Sequence, residues 1–175
     1  MNLSQFIRTI PDFPEPGIMF RDVTTLFGNP NAFQTMILSF EEVWKGQNID
    51  YIAGIDARGF IIGGALAHHL GVGFVPVRKK GKLPYKTIEE NYDLEYGTAT
   101  LELHTDAVSA GSKVLVVDDL IATGGTAIAA ITLLKKLQAI LVGCAFLVDL
   151  PDLEGSKKII EMGIEVRSLC AFDGE

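Results

Sequence analysis

Apolar residues along the chain alternate between helical spacing and short continuous runs. Residues 33–44 have apolar side chains at helical spacing, and an apolar run of strand length follows at residues 51–55. These patterns predict a helix and then a buried strand. By the same reasoning, helices are predicted at residues 58–70, 126–137 and 154–162, and strands at residues 74–77, 92–95, 98–103, 114–117, 140–148 and 165–169.

This alternation predicts an α/β fold with a mostly parallel sheet and helices on both faces. The strands at residues 92–95 and 98–103 are too close in sequence for a crossover, so they are expected to be antiparallel. Ligands of such sheets bind beyond the carboxyl ends of the strands. The candidate chemistry is therefore sought where strands end.

The N-terminal segment has a different pattern. Residues 3–10 carry apolar side chains at helical spacing, which predicts a helix, and three prolines between residues 11 and 16 then impose an extended loop. That loop leads to residues 19–22, which read MFRD. The proline-rich stretch is too short to divide the chain, so residues 1–175 are expected to form one domain.

Composition narrows the classes of partner. The chain has 175 residues, of which 48% are hydrophobic, and a net charge of -7. This charge opposes binding to nucleic acid or to anionic membranes. No stretch has the length of a signal peptide core or a membrane span, so a cytoplasmic location is expected. Cys144 and Cys170 lack the spacing of redox or metal motifs and are expected to be buried thiols.

Basic charge is concentrated in one short segment of this acidic chain. The segment contains Arg78, Lys79, Lys80, Lys82 and Lys86. Taken alone, it indicates either a solvated loop or a place where a small anion binds.

Residues 116–126, VVDDLIATGGT, are the motif with the clearest chemistry. An apolar strand ends at Asp118 and Asp119, and Thr123, Gly124, Gly125 and Thr126 open the next helix. Glycines at a helix start allow a phosphate to approach the backbone N–H groups, and threonine hydroxyls add donors. The nucleoside-triphosphate and dinucleotide loop motifs are absent. A purely structural turn from strand to helix is the alternative.

The adjacent carboxylates need partners other than the phosphate, which they repel. Sugar hydroxyls and waters bound to Mg²⁺ are suitable donors. The motif therefore predicts a ribose-phosphate site.

The complete string resembles the phosphoribosyl pyrophosphate (PRPP) motif of the type I phosphoribosyltransferases. Other segments look like the adenine-specific branch of that family: PDFPEPGIMFRD at residues 11–22, GIDARGF at 54–60, RKKGKLP at 78–84 and LEYG at 94–97. The resemblance implies the type I fold, with a hood over the base from about residues 1–30. It also implies transfer of phosphoribose from PRPP to adenine, giving AMP and pyrophosphate. Mg²⁺ would be carried by PRPP rather than held directly by the protein, and the enzyme would be a homodimer.

The resemblance also implies a role for individual residues. PRPP would be bound through its ribose phosphate by Asp118, Asp119, Ala122, Thr123, Gly124, Gly125 and Thr126, and through its pyrophosphate by Asp56, Ala57, Arg58, Arg78, Lys79 and Lys82. Adenine would stack on Phe20, hydrogen-bond the backbone of Met19 and Arg21, and contact Leu150. Glu95 and Arg58 would be catalytic, with Glu95 exchanging a proton with the base.

The same resemblance bears on local structure. The Asp56–Ala57 peptide bond is expected to be cis, a form rare outside proline that persists where function requires it. Independently of the resemblance, residues 78–92 contain Gly81, Pro84 and few apolar anchors, so they are expected to form a lid that excludes water, to which Tyr96 is also assigned.

Two other functions stay open at this point. One is a phosphoribosyltransferase for a 6-oxopurine or uracil, which would need a different base pocket. The other is a non-catalytic PRPP sensor that regulates transcription, although the negative charge and the lack of spare residues for a DNA-binding module argue against it.

Overall fold

The computed structural model describes residues 1–93 and 97–174. The helices are α1 (Thr24–Phe27), α2 (Pro30–Val43), α3 (Arg58–Leu70), α4 (Gly125–Lys136) and α5 (Gly155–Glu161). The strands are β1 (Arg8–Ile10), β2 (Phe20–Asp22), β3 (Tyr51–Ile55), β4 (Gly73–Lys79), β5 (Thr87–Asp93), β6 (Thr98–His104), β7 (Lys113–Ile121), β8 (Ile140–Asp149) and β9 (Val166–Ala171). Short 3-10 helices occur at Leu3–Phe6 and Pro151–Leu153.

Within the described residues, seven strands form one sheet in the order β5-β6-β4-β3-β7-β8-β9. The strands from β4 to β9 along this order pair in parallel, whereas β6 pairs antiparallel with both β4 and β5. The prediction of a mostly parallel sheet, with an antiparallel pair after residue 91, is therefore confirmed.

The central strands are buried on both faces because their neighbouring side chains join two different hydrophobic clusters. On β3, Ile52 packs with α2 and α3, whereas Ala53 packs with α4. On β7, Leu115 belongs to the first cluster and Val116 to the second. Helices therefore cover both faces of the sheet, as the sequence predicts.

The helix predicted at residues 3–10 is wrong. A 3-10 helix ends at Phe6, and β1 then pairs antiparallel with β2, which places Ile10 opposite Phe20. Backbone pairing with β2 overrides the helical spacing of the apolar residues. The same pairing makes residues 20–22 a strand rather than part of a loop.

The predicted lid, residues 78–92, is mostly strand. β4 continues to Lys79 and β5 begins at Thr87, so seven residues, 80–86, connect them. β5 is the edge strand of the sheet, and its side chains are exposed or half-buried. An edge strand can therefore have the polar composition of a loop.

Cys144 and Cys170 are both free and buried, as expected. Burial raises the pKa of Cys144 to about 12 and raises the pKa of Cys170 as well. Among the described residues, no helix is both long and apolar enough to cross a membrane.

Candidate active site

The junction between β7 and α4 forms a small cradle at the carboxyl edge of the sheet. Gly124 precedes α4 with a φ of 87°, and no side chain caps the helix. The backbone N–H groups of the first helical turn have no partners within a helix, so they face whatever occupies the cradle. The cradle has a volume of about 170 Å³ and is lined by Asp118, Leu120, Ile121, Ala122, Thr123, Gly124, Gly125, Thr126 and Ala127.

The cradle is braced from behind by the start of α5. The N–H of Gly155 donates to the carbonyl of Ala122 at 3.0 Å, and Lys158 Nζ donates to the carbonyl of Thr123 at 3.0 Å. A Cβ atom on Gly155 would lie 2.2 Å from that Ala122 oxygen and 2.7 Å from the nitrogen of Gly124. Only glycine fits at residue 155 without moving the cradle.

The two carboxylates at the end of β7 differ in their surroundings. Asp118 Oδ1 accepts a hydrogen bond from the N–H of Asp119 at 2.9 Å. Asp119 Oδ2 lies 2.7 Å from Arg58 Nε, but no described group has hydrogen-bond geometry with that oxygen. The guanidinium of Arg58 therefore balances the charge of this buried carboxylate as an ion pair.

Burial raises the pKa of Asp118 well above its ordinary value, and the charge of Asp119 raises it further. Burial also raises the pKa of Asp119, although the Arg58 guanidinium opposes this effect. The acid pair therefore favours hydrogen-bond donors, such as hydroxyls, that compensate for two neighbouring negative charges.

A second cavity, of about 380 Å³, adjoins the cradle and shares Leu120 and Ala122 with it. The structure brings all four predicted adenine residues to its wall, namely Met19, Phe20, Arg21 and Leu150. The Phe13 ring meets the Phe20 ring edge-on, with 5.2 Å between centroids, and Arg58 lies 5.6 Å from the Phe20 centroid. The rest of the lining is Glu15, Pro16, Ile18, Arg58, Leu120, Ala122 and Leu153.

The side chain of Arg21 is held by residues from two distant segments. Its Nη1 donates to Thr9 Oγ1 at 2.6 Å, and its guanidinium lies 4.5 Å from the centroid of the Phe172 ring. Its Nη2 also donates to the carbonyl of Asp173 at 3.4 Å. These contacts hold the guanidinium of Arg21, whose buried Nε has no hydrogen-bond partner among the described residues.

The predicted pyrophosphate residues lie around Asp56. The Asp56–Ala57 peptide bond is cis, as expected. Asp56 Oδ2 is 3.4 Å from both Arg78 Nε and the backbone nitrogen of Lys79. Arg78 Nη1 donates to the carbonyl of Lys82 at 3.2 Å. Arg58, at the start of α3, instead contacts Asp119 and the base cavity.

Glu95 and Tyr96 lie outside the described residues. In the part of the chain that the structure does describe, no three His, Cys, Asp or Glu side chains are grouped as metal ligands. Arg58 beside Asp119 adds positive charge where a directly bound cation would sit. The acid pair therefore fits donor groups, including metal-bound waters, better than a bare metal ion.

Some site residues were missed by the sequence prediction. Gly155 follows Glu154 in an ordinary helix-start pattern, and its contact with the cradle spans more than thirty residues. Gly59 is similar, because a Cβ there would lie 2.7 Å from the carbonyl oxygen of Val117. The motif GIDARGF contains Gly59 and was a possible signal for it, whereas nothing local distinguished Gly155 or Phe172.

Comparisons with known proteins agree with this geometry. Residues 25–167 match the phosphoribosyl transferase domain family. The chain is 58% identical over 174 residues to the adenine phosphoribosyltransferase of Maricaulis maris, covering 99% of each chain. The structure superposes on the adenine phosphoribosyltransferase of Rhodothermus marinus with a TM-score of 0.91 at 51% identity, covering 97% of this chain and 96% of that one.

A third relative was solved with ligands. The adenine phosphoribosyltransferase of Saccharomyces cerevisiae, complexed with adenine and an imino-altritol bisphosphate, has a TM-score of 0.89 at 43% identity, covering 95% of this chain and 96% of that one. Both the sequence and the fold match along nearly their whole length. The chain therefore belongs to the phosphoribosyl transferase family and, within it, to the adenine phosphoribosyltransferases.

Proposed function

We propose that this enzyme transfers the 5-phosphoribosyl group from PRPP to adenine in purine salvage, giving AMP and pyrophosphate. The observation that carries this proposal is the contact between two unlike cavities. One is a phosphate cradle with an acid pair, and the other is a largely apolar chamber with an aromatic ring. Their shared wall at Leu120 and Ala122 lets one nucleotide occupy both.

The cradle binds the 5-phosphate of PRPP through backbone N–H groups at the start of α4 and through the hydroxyls of Thr123 and Thr126. Asp118 and Asp119 accept hydrogen bonds from the ribose hydroxyls. This role is supported by the raised pKa values of the two carboxyl groups, which hydrogen-bond donors would offset, and by the place of Asp118 in the cradle wall.

The second cavity binds adenine. Phe20 stacks on the ring, Leu150 contacts its other face, and the backbone of Met19 and Arg21 hydrogen-bonds its edge. Residues 1–30 contribute the hood of this cavity. The contacts of the Arg21 side chain with Thr9, Phe172 and Asp173 support the backbone role, because they engage the guanidinium with other parts of the protein.

The basic segment stabilises the departing pyrophosphate, and Arg58 adds positive charge from its position beside Asp119. The bond from the anomeric carbon to the pyrophosphate oxygen breaks as the purine nitrogen bonds to that carbon, and Glu95 accepts the proton that this nitrogen loses. Arg78, Lys79 and Lys82 bind the phosphate oxygens beside Asp56. Mg²⁺, brought by PRPP, neutralises pyrophosphate charge when bound. Residues 80–86 and the strands beside them, together with Tyr96, limit the access of water.

The family resemblance also supports a cytoplasmic enzyme that acts as a homodimer. Sedimentation of the purified chain measures its oligomeric state directly. A species of twice the chain mass is expected, and a monomer at assay concentration would contradict it.

The experiment for the reaction is an assay of nucleotide formation from PRPP and Mg²⁺ with adenine, hypoxanthine, guanine or uracil. Turnover is expected with adenine and not with the other three bases. A faster reaction with another base would assign the enzyme to that base. PRPP binding without any turnover would indicate a sensor.

The role of Glu95 has its own test. Glu95→Gln keeps the size of the side chain but removes its ability to take a proton, so kcat is expected to fall by about a hundredfold. The KM for PRPP should stay close to the wild-type value, because Glu95 is assigned to the base. An unchanged kcat would remove Glu95 from the mechanism.

A further inference from the structure

Glu102 is a buried acid to which no role has been assigned. It lies in the middle of β6 and is only 5% exposed. Its neighbours Leu101 and Leu103 belong to the hydrophobic cluster on one face of the sheet, so Glu102 lies on the opposite face. Asp22 and Asp119 are the other acids this deeply buried among the described residues, and each pairs with an arginine.

Glu102 forms no ion pair among the described residues. Its hydrogen bond instead joins it to the backbone of the basic segment. Its Oε1 accepts a hydrogen bond from the N–H of Gly81 at 2.9 Å, whereas its buried Oε2 has no partner among the described residues. Arg78 is the residue directly opposite Glu102 across the β4–β6 pair. A buried carboxylate therefore fixes the backbone of the turn that carries the basic side chains.

The turn has the conformation that such an anchor would hold. Gly81 has a φ of 80°, in the left-handed region that glycine adopts without strain. The N–H of Lys80 donates to the carbonyl of Thr100 at 3.0 Å. Residues of β6 therefore hydrogen-bond the backbone of the turn at residues 79–82. Asp56, just after β3, contacts the Arg78 side chain and the backbone nitrogen of Lys79.

The lysines of the segment differ in whether they form an ion pair. Lys80 Nζ forms an ion pair with Glu89 on β5 at 2.6 Å. Lys79 and Lys82 are exposed and form no ion pair within the described part of the chain, so they remain for an anionic ligand. The position of Gly81 decides where these two side chains emerge. If the turn is already fixed before the ligand binds, binding loses less conformational entropy and the affinity is higher.

We propose that Glu102 is a positioning residue, which holds the turn at residues 79–82 through the Gly81 N–H and thereby sets the affinity for the pyrophosphate end of PRPP. This inference rests on the proposed assignment of Arg78, Lys79 and Lys82 to pyrophosphate. Glu102 itself touches no substrate. Its effect therefore belongs in the binding of PRPP and pyrophosphate, not in the binding of adenine.

Two substitutions at the anchor separate the hydrogen bond from simple burial. Glu102→Met keeps the length of the side chain but has no oxygen, whereas Glu102→Gln keeps an acceptor for the Gly81 N–H. Glu102→Met is expected to weaken Mg²⁺-pyrophosphate binding, measured by calorimetry, and to raise the KM for PRPP, each by about tenfold. The KM for adenine should change less than about twofold, and Glu102→Gln should stay close to wild type on every measure.

Substitutions at the exposed partner give a second test should Glu102→Met fail to fold. Gly81→Val disfavours the left-handed conformation, whereas Gly81→Asn tolerates it and keeps the N–H. Gly81→Val should weaken pyrophosphate binding as Glu102→Met does, and Gly81→Asn should not. Glu165→Gln, which removes the ion pair between Glu165 and Arg167 away from the site, is the matched control and should have no effect.

Unchanged pyrophosphate affinity in Glu102→Met or in Gly81→Val would overturn the inference. So would an equal loss in Glu102→Gln and Glu102→Met, since the hydrogen bond would then not be the cause. Pyrophosphate binding is measured without turnover, so these outcomes stand whether or not the wild-type protein forms AMP from adenine.

Discussion

The two ends of the active site are built in different ways. The phosphate end is made mostly of consecutive residues, because β7 ends and α4 begins within residues 118–127. The base end is assembled from segments that are far apart in sequence: β2, the start of α3, the end of β7, and the 3-10 helix at Pro151–Leu153. One end is therefore determined locally, whereas the other depends on how the whole chain folds.

This difference explains why the two ends should respond to substitution differently. The cradle binds phosphate mainly through backbone N–H groups, so it is most damaged by steric change behind it, whereas Asp118 beside these groups contributes through its side chain. The base cavity relies on side chains such as Phe20, so it is damaged by truncation.

The largest effect is expected from Gly155→Ala. The new Cβ would collide with the carbonyl of Ala122 and the nitrogen of Gly124, which displaces the cradle. Displacement of a binding group by about 1 Å costs on the order of a hundredfold in rate. We expect kcat/KM for PRPP to fall by about that factor in steady-state kinetics.

Gly64→Ala is the matched control for this experiment. Gly64 lies in α3, and a Cβ there would meet no atom within 4 Å. Alanine favours a helix over glycine by up to about 1 kcal/mol, so this variant should be fully active and slightly more stable. Full activity in Gly155→Ala would show that the brace from α5 does not shape the cradle.

A smaller loss of activity, with a gain in stability, is expected from Asp118→Asn. Removing a charged acceptor for a ribose hydroxyl should lower kcat/KM for PRPP by about ten- to a hundredfold. The fold raises the pKa of Asp118, so the stability linked to its protonated form is lost as pH rises through that pKa. At pH 8 the neutral asparagine should therefore raise Tm.

Calorimetric scans at pH 8 measure this second effect. A lower Tm in Asp118→Asn would contradict the account of the acid pair. Asp119→Asn is an informative comparison, because it also removes the partner of Arg58 and should gain less stability.

The smallest effect is expected from Asp22→Asn, at the base end. The Thr24 hydroxyl, as the largest cause, and Arg8 lower the pKa of Asp22 to about 2. The stabilisation is present above the unfolded carboxyl pKa of about 4 and is lost as pH falls from there toward 2. We expect the variant to lose about 1 kcal/mol of unfolding free energy at pH 7.

Denaturant titrations of both proteins across pH check this expectation. The difference in unfolding free energy should be constant above pH 5 and should narrow as the pH falls below about 4. A difference that does not depend on pH would mean that Asp22 contributes through packing rather than through its charge.

Much of the sheet could be predicted from sequence because its central strands are continuous apolar runs. The errors lie where tertiary pairing decides. Residues 8–10 have helical spacing but pair with β2, and residues 87–93 are polar but form an edge strand. In both places the hydrogen bonds of a neighbouring strand determine the structure, and a pattern within one segment does not contain that information.

The same division holds for the site. Asp118 to Thr126 could be predicted from the residues themselves, because a strand end, glycines and threonines together form a phosphate cradle. Phe20, Leu150 and Arg58 were placed only by resemblance to a family, since nothing in their own segments brings them together. Gly155, Glu102 and Phe172 act through contacts with distant segments, and these contacts are visible only in the folded chain.

In the proposed complex, one nucleotide spans two ends of the site that are built separately. The most direct measurement is calorimetric binding of AMP and of ribose 5-phosphate to wild type and to Phe20→Ala. Loss of one base stack should weaken AMP binding by about tenfold or more. Ribose 5-phosphate, which occupies only the cradle, should bind equally to both proteins, whereas equal weakening of both ligands would contradict the division of the site.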